Sequence, residues 1–201
     1  MKIIGLTGSI GCGKSSLSDI FRKHGICIID ADIKGREVYE NKEVLENLYK
    51  EFGEEIKSSD GRPDRKLLGK IVFSDEKKLE KLNDITHPAI RQMIEDDIKA
   101  AENKGEKAVV IDAALLIEAG YTSICDIIIV VTCDEGTQIE RVMRRDNCTK
   151  ETAVSKIKSQ MSQTEKKKYA DYVIDNSGTI KELENQAEMF IEKFEVDYFG
   201  K

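Results

Sequence analysis

The chain has 201 residues, of which 40% are hydrophobic and 35% charged, and only two are prolines. That length buries a core without a disulfide or metal staple, and the composition excludes a disordered tail. A net charge of −6 argues against a general nucleic-acid binder, and no apolar run approaches the ~20 residues of a membrane helix.

Lys2 to Leu6 is short and apolar, and it runs into a glycine-rich turn. Ser15 to His24 has Leu17, Ile20 and Phe21 at helical spacing, and Gly25 stops it. Ile26 to Ile29 is a second apolar run ending in Asp30, so the chain opens as strand, turn, helix, strand. From Asp32 to about Ala101 the pattern is helical and broken. Val38, Leu45, Leu48 and Phe52 mark helix faces, Leu67 to Phe73 and Leu79 to Ile85 read as further helices, His87-Pro88 is expected to interrupt, and Ala89 to Ala101 resumes. A stretch this long between two strands reads as an inserted helical lobe.

Ala108 to Ile111 followed by Asp112 is a third buried strand, and Asp126 to Val131 a fourth. Gln138 to Asp146 is a helix that the basic segment continues. Tyr172 to Ile174 is a fifth strand, expected in the core, and Ile180 to Phe194 a closing amphipathic helix. Apolar strands alternating with helices suit a parallel sheet covered on both faces.

Gly8-Ser9-Ile10-Gly11-Cys12-Gly13-Lys14-Ser15 fits G-x-x-x-x-G-K-[ST] and sits between a strand and a helix, as a P-loop must. Its glycines let backbone N–H groups converge on phosphate oxygens at a helix N-terminus. Lys14 would reach the β- and γ-phosphates of a nucleotide, and the Ser15 hydroxyl would ligate Mg²⁺. Asp112, at the end of the third strand, stands where an acid that holds Mg²⁺ directly or through water is found. No N-K-x-D guanine motif is present, because Asn41-Lys42 and Asn103-Lys104 lack the aspartate. This disfavours a signalling GTPase, and the small size and a separate basic segment favour a small-molecule kinase with a mobile lid.

Asp32 follows the second strand on the ligand-binding edge of such sheets. It reads either as the base for an acceptor hydroxyl or as a helix cap, and Asp30 as structural. His87 reads first as a loop histidine, with Arg91 one turn into the next helix. Residues 141–168 hold nine basic residues against three acidic, a net +6 in an acidic chain. Arg141, Arg144 and Arg145 share helical faces, and a closing lid would bring such charge to a transferring phosphoryl group. Lys166-Lys167-Lys168 reads as solvated surface. The five cysteines, Cys12, Cys27, Cys125, Cys133 and Cys148, have no C-x-x-C pair and read as free thiols, and two histidines are too few for a histidine metal site. Met1 to Gly5 reaches glycine too soon for a signal-peptide core, so a cytoplasmic location is expected.

Taken in order, these residues resemble the dephospho-CoA kinase family. The likeness runs from Ile4 to about Ile191. It is carried by the P-loop with Ile4 to Gly8, Ile29 to Asp32 with Arg36, and Thr86-His87-Pro88 with Ile90-Arg91. It continues through Leu115-Leu116 with Glu118, Gln138 with Arg141 and Arg144 to Asp146, Gln160, and Ala170-Asp171 with Asp175-Asn176. Ser9, Cys12 and Ala114 stand where family members usually carry glycine, serine and often proline.

The resemblance implies an α/β, P-loop NTPase-type three-layer fold with a five-stranded parallel sheet, an inserted helical substrate lobe and a helical lid. In one domain, 1–201, the core would take about 1–31, 106–140 and 170–201, the lobe 32–105 and the lid 141–169. The implied reaction is transfer of the γ-phosphoryl group of ATP, with Mg²⁺, to the ribose 3′-hydroxyl of dephospho-CoA. Asp32, Lys14, Arg141 and Arg144 would be catalytic. Gly8, Gly11, Cys12, Gly13, Lys14, Ser15, Ser16, Arg141 and Asn176 would bind nucleotide. Asp32, Arg36, His87, Arg91, Leu116 and Glu118 would bind the acceptor, and Ser15 and Asp112 the metal. A monomer is expected. The competing readings are another P-loop kinase, acting on a nucleoside monophosphate or a shikimate-like acceptor, and a non-catalytic nucleotide switch.

Overall fold

A computed structural model describes residues 1–72 and 74–200. Phe73, the expected end of one helix, and Lys201, the last residue of the expected core, lie outside the described residues. The chain divides into two compact units, Met1–Ile29 with Ala101–Lys201, and Asp30–Ala100.

The first unit is built on a five-stranded sheet. Its strands are β1 (Lys2–Gly8), β2 (Cys27–Asp30), β3 (Ala108–Asp112), β4 (Ile127–Thr132) and β5 (Tyr172–Asp175), in the order β2-β3-β1-β4-β5. β1 pairs in parallel with β3 on one side and β4 on the other, and β4 with β5. The central strands are the most apolar because both faces are covered: every residue of β3 is buried, and Ile4 to Gly8 of β1 likewise. Helix α1 (Lys14–Lys23) follows β1 and buries Leu17, Ile20 and Phe21. It ends where expected, at Gly25, whose φ of +78° glycine adopts without Cβ strain.

The last helix of the chain runs Ile180–Phe199 and buries Leu183, Ala187, Phe190 and Phe194. Their spacing of four, three and four keeps one stripe on the sheet. Phe190 meets Phe21 of α1 at 5.7 Å between ring centroids. The outer strand departs from expectation: Ile174 is buried, but Val173 is 47% exposed. β5 pairs only with β4 in the sheet order, so this edge strand is not covered as the inner strands are.

In the second unit α2 (Ala31–Glu37), α3 (Lys42–Phe52) and α4 (Arg65–Val72) precede α5, which runs Glu76–Asn103 and carries the chain out of the unit. Val44, Leu48 and Phe52 of α3 join Val38, Ile56, Leu68 and Val72 in a core of their own. α2 lies against α5: Lys34 bonds Asp97 at 2.8 Å, and Ile90 approaches within 4.0 Å of where a Cβ on Gly35 would stand. The expected break at His87-Pro88 does not occur, and Pro88 sits inside α5. Proline removes one backbone bond there. Against that stands a stripe that continues through it, Leu82, Ile85, Ala89 and Met93, all packed on the core. The Thr86 hydroxyl also donates to the Leu82 carbonyl at 2.8 Å.

The basic segment is likewise not one helix. α6 (Glu135–Asp146) starts under an Asp134 cap and ends at Asn147, whose φ is +47°. Two shorter helices follow, α7 (Lys150–Lys158) and α8 (Gln163–Lys167), before β5, and the C-terminal helix is α9. No helix among the described residues is long and apolar enough to cross a membrane.

Candidate active site

The P-loop leaves the C-terminal end of the central strand. A Cβ on Gly8 would stand 2.8 Å from the Val131 carbonyl oxygen, so only glycine lets β1 and β4 pair that closely. Gly13 has φ +86°, and a Cβ there would fall on the Asn176 side-chain amide. Gly13 also caps α1 with no side-chain hydrogen bond, and the first turn of the helix has no acid. The first-turn N–H groups therefore keep their pull on an anion.

Lys14 Nζ sits on Asp112 Oδ1, and the Ser18 hydroxyl donates to Oδ2 of the same carboxylate. Asp112 is thus buried with both oxygens engaged. Ser18 lies one turn along α1 from Lys14, a spacing that could have pointed to it. Ser15 is exposed on the first turn of α1. A hydroxyl and a carboxylate are the hard oxygen donors that suit Mg²⁺, which takes few protein oxygens and fills its shell with water and phosphate oxygens.

Side chains from far along the chain hold the rest of the loop. Ile10 N donates to Gln160 Oε1 at 2.8 Å, and Gln138 Nε2 donates to the Ile10 carbonyl at 2.7 Å. Gln163 bridges Gln138 Oε1 (2.9 Å) and the Cys133 amide (2.9 Å), and the Ser9 hydroxyl donates to the Met161 carbonyl at 3.0 Å. Asn176 Nδ2 donates to the Cys12 carbonyl at 2.8 Å, and Arg141 Nη1 to the Asn176 carbonyl at 2.8 Å. Asn176 is buried, so its side chain braces the loop. The Cys12 thiol is fully buried; its hydrogen bond to Cys133 and its burial push it far above the thiol range, so it is no nucleophile.

The basic run splits into distinct environments. Arg144, Lys150, Lys158, Lys167 and Lys168 are exposed. Arg145 and Lys156 converge on Asp146 at 2.7 and 2.5 Å, and in that order they hold its carboxyl far below the usual range. Lys166, expected at the surface, is completely buried. Its ammonium donates to both oxygens of Glu118 (2.8 and 2.9 Å) and to the Ala114 carbonyl (3.0 Å). Nothing in a run of three lysines marks the buried one; the Ser162–Glu165 capping box was the one local sign of a separate helix there.

Two of the residues expected to bind the acceptor are engaged within the first unit. Leu116 is fully buried, packed on the space above Gly5, and belongs to the core. Glu118 has its carboxylate committed to Lys166. The other four lie in the second unit. The Asp30 side chain accepts from Ile33 N at 2.9 Å and caps α2, so the capping role considered for Asp32 is filled by its neighbour. Asp32 and Arg36 are exposed, one turn apart on α2. His87 and Arg91 are one turn apart on α5, with Arg91 Nε on Glu95 at 3.0 Å. Burial pushes the His87 imidazole below its ordinary value, against a smaller upward pull from Asp84.

Known proteins resemble this chain over nearly its whole length. The family model for dephospho-CoA kinase matches residues 2–182. A dephospho-CoA kinase of Listeria monocytogenes is 43% identical over 194 residues, covering 96% of this chain and 97% of its own. Among solved structures, TT1252 from Thermus thermophilus superposes with a TM-score of 0.83 at 31% identity, over 96% of this chain and 97% of that one. A dephospho-CoA kinase from Campylobacter jejuni gives 0.73 at 29% identity, over 96% and 98%. A P-loop braced from α6, from the connection between α7 and α8 and from Asn176, in a chain matched over nearly its whole length, leads to one assignment: this chain belongs to the dephospho-CoA kinase family.

Proposed function

We infer that this protein transfers the γ-phosphoryl group of ATP to the ribose 3′-hydroxyl of dephospho-CoA, giving CoA and ADP. The observation that carries the reading is the intact P-loop with Lys14 held at Asp112, in a chain of this family. Family membership favours dephospho-CoA over the nucleoside monophosphate and shikimate-like acceptors and over a non-catalytic switch.

Phosphoryl transfer asks little covalent chemistry of a protein, so rate comes from positioning and charge. The P-loop amides and the α1 N-terminus cradle the β- and γ-phosphates. Lys14 exchanges its contact with Asp112 for the phosphate oxygens when ATP enters. Ser15 and Asp112 would hold Mg²⁺ through their side-chain oxygens. A magnesium ion held there would supply positive charge against the nucleotide phosphates. Asp32 takes the proton from the 3′-hydroxyl as the oxygen attacks phosphorus in line with the departing ADP. Arg36, His87 and Arg91 hold the acceptor, an anionic molecule suited to two guanidinium groups. Arg141 and Arg144 stabilise charge on the transferring group as residues of the 141–169 segment close. The enzyme works as a monomer in the cytoplasm.

The test is ADP release by purified protein with Mg²⁺ and ATP, with and without dephospho-CoA, and the product weighed. Acceptor-dependent ADP and a product heavier by one phosphoryl group are expected. Folded, ATP-binding protein with no acceptor-dependent turnover would overturn the assignment at the acceptor.

A further inference from the structure

We propose that Lys166 is a positioning residue for phosphoryl transfer, acting through the Ala114 carbonyl on the turn that carries Asp112. The proposal rests on the reading of the protein as an ATP-dependent kinase.

Lys166 is fully buried with its charge, and all three of its N–H donors are used. An ammonium is buried only where its partners offset the lost hydration, so the site is built around it. Two of its bonds go to Glu118 and one to the Ala114 carbonyl. The same carbonyl accepts from the Thr7 hydroxyl at 3.1 Å, which fills its two lone pairs. Ala113 N in turn donates to the Leu6 carbonyl at 3.0 Å. The backbone just past Asp112 is therefore held from β1 and from α8. Residue 114 is alanine, so no proline ring stiffens this turn, and its geometry depends on these hydrogen bonds.

The other end of the same short segment grips the nucleotide loop. Gln160, Met161 and Gln163 hold Ser9, Ile10 and the Cys133 amide. Residues 160–166 thus join the P-loop, the end of β4 and the turn after β3. Lys166 is the link to the third of these. It touches no phosphate. It fixes where Asp112 stands, and Asp112 holds Ser18 throughout and Lys14 until ATP enters. A displacement of about 1 Å in such a group costs on the order of a hundredfold in rate.

The Lys166→Met variant keeps the length of the side chain and removes its charge. Its kcat at saturating substrates is expected to fall at least about tenfold, with the KM for ATP within about threefold of wild type, because Gln138 and Gln160 still hold the loop. The Glu118 carboxylate left behind lowers Tm, so the double variant Lys166→Met, Glu118→Met is measured beside it. Tm is expected to recover in the double variant while kcat stays low. Should neither variant fold, Thr7→Val removes the other bond to the same carbonyl without stranding a charge, and kcat is expected to fall at least about threefold at unchanged KM for ATP. Lys166→Met or Thr7→Val with wild-type kcat overturns the proposal. So does a double variant that regains Tm and kcat together, or a rise in KM for ATP as large as the fall in kcat. Wild-type protein with no dephospho-CoA-dependent ADP release would overturn the functional reading instead; an active wild type beside an unimpaired Lys166→Met overturns the role of Lys166 alone.

Discussion

The P-loop and the α2/α5 faces handle their functional residues in opposite ways. Around the P-loop, groups 100 residues or more away in sequence hold the backbone: Gln138 and Gln160 reach Ile10, and Asn176 reaches Cys12. On α2 and α5 the candidate residues stand one turn apart on helix surfaces, and Asp32, Arg36 and Arg91 are exposed. The first region recognises with main-chain N–H groups, which have one useful arrangement and need it fixed in advance. The second would recognise with side chains, whose rotamers adjust to a larger ligand. Damage to the first should register in ATP use and stability together. Damage to the second should leave both nearly intact and register in acceptor use.

Four measurements sharpen or break that contrast. Lys14→Ala should lower kcat by at least ~1,000-fold, since it removes charge from the transferring group itself. Retained turnover would undo the P-loop assignment. Asp32→Asn should lower kcat by at least ~100-fold, the usual contribution of a general base, with ATP affinity nearly kept. A variant with near-normal kcat removes Asp32 as the base and leaves the second region a binding surface only.

Gly13→Ala should cost about 1–3 kcal/mol, because the new methyl group meets the Asn176 amide at a φ of +86°. It should also raise the KM for ATP about tenfold, as one donor in the cradle moves. Wild-type Tm would show that the loop is not held from Asn176. The smallest effect concerns pH. The folded His87 imidazole titrates below its ordinary 6.5, so in that window the unfolded chain binds more protons there. Its contribution to stability is full above pH 6.5 and is lost as the pH falls. Melts between about pH 7.5 and 5.5 should show Tm falling, and His87→Gln should flatten part of the slope. Equal slopes would mean that the half-buried histidine is not stabilised by remaining neutral.

The chain's local signals carried much of this protein. The strand–P-loop–helix opening, the five strands, the glycine stop at Gly25 and the separate candidates Lys14 and Asp112 all follow from spacing and from the limits on single residues. Those constraints act over a few positions, so a linear reading meets them. Tertiary structure decided the rest, because each outcome depended on a partner distant in sequence. Pro88 stays inside α5 because Leu82, Ile85, Ala89 and Met93 bury one stripe across it. Leu116 is core because Gly5 leaves room for it, and Val173 is exposed because β5 is an edge. Three consecutive lysines look alike in sequence, yet two are exposed and Lys166 is buried, because only there do Glu118 and the Ala114 carbonyl offset the loss of water.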